Sequence, residues 1–61
     1  MNEQMSLSDY KKKVEEWMIN ESNCSIQETN RLMKLYADDF PEFLADNWEP
    51  SAAGTAMQMG Y

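Results

Sequence analysis

Ser25-Ile26-Gln27-Glu28-Thr29-Asn30-Arg31-Leu32-Met33-Lys34-Leu35-Tyr36 opens on an S-x-x-E capping box and runs on with apolar residues at helical spacing. In such a box the Ser hydroxyl and the Glu carboxylate each accept from an amide that a helix start leaves orphaned. Ile26, Thr29, Leu32, Met33 and Tyr36, followed by Ala37 or Phe40, form one stripe, the pattern of a helix with one buried face. Asp38-Asp39 stops this helix at about residue 37, because acids are unfavourable beside the negative end of the helix dipole.

The same period continues upstream. Ser6-Leu7-Ser8-Asp9 offers a capping hydroxyl with an acid three residues on, and predicts a helix over 7–22. Tyr10, Val14, Trp17 and Met18 make its apolar stripe, opposite Lys11, Lys12, Lys13, Glu15 and Glu16. Lys12–Glu16 is an i,i+4 pair worth a few tenths of a kcal/mol. Ser22-Asn23 ends the helix by competing for backbone hydrogen bonds, and residues 1–5 are expected to fray.

Downstream, Asp39-Phe40-Pro41-Glu42 supplies a capping acid, an early-turn Pro and an acid at the third position. The helix predicted over 40–48 is two-faced, with Phe40, Phe43, Leu44 and Trp48 on one side. Asp38, Glu42, Asp46 and Glu49 lie on the other. Pro50 then starts a fourth helix, 50–59, with a small-residue face of Ala52, Ala53, Ala56, Met57 and Tyr61. Gly54 weakens it, and Gly60 suits a C-terminal cap. No stretch alternates long enough for a strand. The expectation is a single all-α domain over 1–61, a compact bundle of three to four short helices. A 24-residue echo aligns Asn23-Cys24-Ser25-Ile26 with Asn47-Trp48-Glu49-Pro50, as two helix–turn–helix units or chance would produce.

Composition narrows function by exclusion. The 61 residues hold 5 Lys+Arg, 11 Asp+Glu and no His, for a net charge of -6. Charge of this sign opposes direct binding of nucleic acid or an anionic membrane. Without His there is no imidazole acid, base or ligand. Cys24 has no internal disulfide partner, the first five residues lack a signal-peptide pattern, and the longest apolar run is Trp17-Met18-Ile19. A cytoplasmic protein is expected. Cys24 precedes the second helix, but with no base to activate it a buried filler is the better reading. Gly-rich phosphate loops, G-x-S-x-G and Cys-x-x-Cys are absent, as is the Gly-turned loop of a Ca²⁺ site. The expectation is therefore no enzyme, no metal and no cofactor.

Charge is unevenly spread. Residues 1–34 carry six acids and five bases, whereas 35–61 carry Asp38, Asp39, Glu42, Asp46 and Glu49 with no base. Read blandly, these acids keep a small domain soluble. Read functionally, they dock a basic protein partner by steering and orienting it. Carboxylates three or four residues apart on a helix also lie about 5–6 Å apart, so a DNA-mimicking inhibitor of a nucleic-acid enzyme is the alternative. A helix–turn–helix reader is disfavoured, since Glu42 and Asp46 would face phosphates. Trp17, Trp48, Tyr10, Tyr36, Phe40 and Phe43 are read as core. Met1, Met5, Met57 and Met59 lie near the termini, where one short chain buries side chains with difficulty. Lacking disulfide or metal, a domain of this size gains most from association, so a homodimer or an obligate partner is expected.

Ser25-Ile26-Gln27-Glu28-Thr29, Tyr36-Ala37-Asp38-Asp39-Phe40 and Trp48-Glu49-Pro50-Ser51-Ala52-Ala53…Gly60-Tyr61 give residues 10–61 a resemblance to small uncharacterised proteins of Gram-positive phages and conjugative elements. What that resemblance implies is an accessory or regulatory protein, and it transfers no functional residue. The helix pattern also resembles ubiquitin-associated-type three-helix modules. Those domains bind through a Met-Gly-Phe/Tyr loop between helices; here the tripeptide occurs only as Met59-Gly60-Tyr61, after the last predicted helix, so their function is not expected.

Overall fold

The computed structural model describes residues 5–60. Four α-helices follow one another: α1 Leu7–Asn20, α2 Ile26–Leu35, α3 Phe40–Ala45 and α4 Pro50–Gln58, with a 3₁₀ turn over Ala37–Asp39 leading into α3. No strand occurs among the described residues, and the all-α bundle is the observed architecture. The fraying expected of residues 1–4 lies outside the described residues; Met5, grouped with them, packs half-buried against the core.

Both serine caps form. The Ser6 hydroxyl accepts from the Asp9 amide at 3.2 Å, and the Ser25 hydroxyl from the Glu28 amide at 3.1 Å. The reciprocal half of the second box does not form, because Glu28 turns outward to Arg31. Guanidinium nitrogens donate to its two oxygens at 3.1 and 2.6 Å. That contact holds the Glu28 carboxyl below the usual carboxylate range, through the hydrogen bond first. Lys12 and Glu16 form no ion pair; Arg31–Glu28 is the one found among the described residues.

All four helices end earlier than expected, and after two of them left-handed Asn residues set the limit. Asn23 (φ 59°) follows α1 and Asn47 (φ 61°) follows α3. After α3 the Trp48 amide donates to the Phe43 carbonyl and the Asn47 amide to the Leu44 carbonyl, both at 3.0 Å. This is a Schellman turn, with the Phe43 and Trp48 rings 5.0 Å apart as its apolar clasp. The helix expected over 40–48 therefore stops at Ala45. Replacing Asn47 by Ala forces a Cβ without a polar side chain into this conformation and is expected to cost about 1 kcal/mol. Asn47→Gly is expected to match or exceed the native stability, and the two urea midpoints check the contrast.

The 24-residue echo has a counterpart in backbone conformation. Each left-handed Asn leads, two residues on, to an extended helix-capping residue: Ser25 at φ -67°, ψ 158° and Glu49 at φ -69°, ψ 149°. Gly60 also takes the left-handed form (φ 84°) and its amide reaches the Met57 carbonyl, as its expected capping role requires.

α1 is the hub, packing against α2, α3 and α4. Tyr10, Val14, Met18, Leu32, Phe40, Phe43, Ala53 and Met57 form the buried core. Met57 is thus a core residue despite its terminal position, and Met59 alone of the described methionines is strongly exposed. Trp17, Tyr36 and Trp48 are half-buried against the core instead of within it, as is Cys24. Of the small residues expected to form one face of α4, Ala53 and Met57 are buried, Ala56 is half-buried and Ala52 is exposed; Tyr61 lies outside the described residues. Gly54 joins the buried set. A radius of gyration of 10.8 Å matches the roughly 10.5 Å expected of a folded chain this long.

Thr29 is fully buried and its hydroxyl oxygen has no hydrogen-bond partner. An unpaired buried hydroxyl costs about 1–3 kcal/mol of desolvation. Thr29→Val keeps the shape and is expected to raise the thermal midpoint; a fall would show that the hydroxyl is satisfied in solution.

Candidate functional site

The five acids of the C-terminal half occupy consecutive elements. Asp38 and Asp39 belong to the 3₁₀ turn, Glu42 to α3, Asp46 caps the C-terminus of α3, and Glu49 is the N-cap residue of α4. Phe40 and Phe43 pull the opposite side of this segment into the core, which drives the acids outward. Asp38, Glu42, Asp46 and Glu49 are exposed, and Asp39 is half-buried.

The structure brings three of these into one row. Asp38, Glu42 and Asp46 recur every four residues along the turn and helix, and the Asp46 amide donates to the Glu42 carbonyl at 3.0 Å. Glu49 leaves the row because Asn47 reverses the backbone. The expected row of four on a single helix face is therefore three, with Glu49 beyond the turn. Among the described residues none of the five carboxylates forms an ion pair, and neither Asp39 nor Glu49 caps a helix with its side chain. No group of three Cys, Asp or Glu among the described residues converges to hold a metal ion.

Beside these acids lies a groove that sequence reasoning missed. It is an open depression of about 250 Å³ lined by Met5, Tyr10, Leu44, Trp48 and Pro50 together with Asn47 and Glu49. Its floor is fixed by the Tyr10 hydroxyl, which donates to the Trp48 carbonyl at 2.9 Å. Burial pushes the Tyr10 phenol above its ordinary range, so the donor keeps its proton to high pH. Trp48-Glu49-Pro50 was the available signal, since it sets two apolar rings around an acid. Pairing it with Met5 and Tyr10 requires the tertiary fold.

An aromatic ladder supports the site from within. Tyr10 meets Phe40 edge-on at 6.3 Å between centroids, and Phe40 meets Phe43 edge-on at 6.0 Å. The Lys11 ammonium lies 5.8 Å from the Phe40 centroid, over the ring's face. No described helix is long and apolar enough to cross a membrane.

Fold and surface together define a small all-α bundle whose C-terminal half exposes Asp38, Glu42, Asp46 and Glu49. No protein-family profile, curated protein or solved structure matches the chain, so the resemblance to phage and conjugative-element proteins rests on its residues alone.

Proposed function

We propose that the chain is a small acidic protein-interaction module that docks a basic protein partner through Asp38, Asp39, Glu42, Asp46 and Glu49. Its role would be the accessory or regulatory one implied by the resemblance to mobile-element proteins. The observation that carries this reading is the set of five carboxylates over residues 38–49, none of them in an ion pair among the described residues, in a half-chain that has no base. Asp46 adds to it: an acid at a helix C-terminus opposes the dipole, so local stability does not account for it. Steering by such a set acts mainly on association rate, which salt screening reduces.

Asp38→Asn, Asp46→Asn and Glu49→Gln together remove three charges from exposed positions, so stability is expected to move by less than about 0.5 kcal/mol. Tagged wild-type and triple-variant proteins are then used as bait in the cell that encodes the chain, with mass spectrometry of what each captures. A basic protein held by the wild type and lost by the variant is the expected result. Equal capture by both would refute docking through these acids. A captured nucleic-acid enzyme that releases DNA on binding would turn the reading toward mimicry.

A further inference from the structure

The acidic segment and the apolar groove meet at Asn47–Glu49, and nothing in the docking reading alone requires the groove. Charge of one sign sets partner sign and rate, whereas an apolar pocket flanked by an aromatic ring is where binding energy concentrates. The geometry points to a composite site: a basic segment of the partner lays Lys or Arg along Asp46 and Glu49 and inserts one apolar side chain between Met5, Leu44 and Trp48. This rests on the docking reading and specifies the partner segment's chemistry. Three observations support it. The groove lining is mostly apolar or aromatic, Met5, Tyr10, Leu44, Trp48 and Pro50, and includes one acid, Glu49. Asp46 adjoins that lining through the Asn47 turn. The Tyr10–Trp48 hydrogen bond and the Phe43–Trp48 contact fix the wall in place, so the pocket is formed before a ligand arrives.

The test uses the full chain and two short synthetic peptides of Lys, Arg and Ser, identical except that one carries a central Leu and the other Ser. Binding is followed by proton–nitrogen NMR, in which the Trp48 and Trp17 indole signals are separate probes. The Leu peptide is expected to shift the Trp48 indole and the amides of Leu44 and Asn47, leaving the Trp17 indole unmoved. The Ser peptide is expected to bind at least about tenfold more weakly, the factor that burial of one Leu-sized side chain supplies. If both peptides bind equally and shift the amides of Asp38, Glu42 and Asp46 while the Trp48 indole and the Leu44 amide stay unmoved, the groove inference is overturned while acidic docking stands. If neither peptide shifts any signal at low salt, both readings fall. If the groove signals move on concentrating the protein alone, a second copy fills the groove and the peptide proposal is overturned.

Discussion

Phe40→Ala is expected to leave the chain largely unfolded at 25 °C. The Phe40 ring is fully buried and meets the rings of Tyr10 and Phe43, with the Lys11 ammonium over its face. Truncating a buried Phe costs about 3–5 kcal/mol, from lost transfer energy and the cavity left behind. At about 0.05–0.15 kcal/mol per residue, a domain of this length has only about 3–9 kcal/mol in total. Near-UV circular dichroism should collapse and the cooperative urea transition should disappear or move to very low denaturant. Phe40→Leu fills part of the volume and should retain a cooperative transition. A fully folded Phe40→Ala protein would mean that the aromatic ladder is not the core's centre.

The second large effect comes from Gly54→Ala, a change that improves intrinsic helix propensity by up to about 1 kcal/mol. It is nevertheless expected to destabilise by about 1–3 kcal/mol, because α4 lies directly on the Trp17 ring. A Cβ at Gly54 would sit 2.6 Å from Trp17 Cε3, 2.7 Å from Cζ3 and 3.2 Å from Met18 Cγ. Relief requires the half-buried indole to move, at the expense of its packing against the core. A double-mutant cycle separates sterics from propensity: in a Trp17→Ala background, Gly54→Ala should become neutral or stabilising. Destabilisation of equal size in both backgrounds would exclude the ring as the cause.

Much of the helical architecture is legible because its signals are local. Ser6 and Ser25 lie beside the amides they cap, and the stripes through Tyr10, Val14 and Met18 read directly as a buried face. The extent of the third helix is less legible. Phe43 and Trp48 are five residues apart, one more than a helix stripe prefers, and that excess is the mark of a Schellman clasp. Asn47 reads only as a polar residue until its φ of 61° is known. Gly54 looks like a weakness in the sequence because its value lies in a ring from another helix. The same distance hides the burial of Met57 and the groove formed by Met5, Tyr10 and Trp48. Exposure of the acids follows from the pattern; loss of Glu49 from their row does not, because one left-handed residue redirects everything after it.

The central position of α1 also has a kinetic consequence. Most contacts in the molecule join residues near in sequence, which favours fast folding. The exceptions include the Tyr10–Trp48 hydrogen bond, across 38 positions, and the Ser22–Gln58 hydrogen bond, across 36. Closing so long a loop costs entropy before any contact there is gained. The return of the α3–α4 corner to α1 is therefore expected to be the slow step of folding.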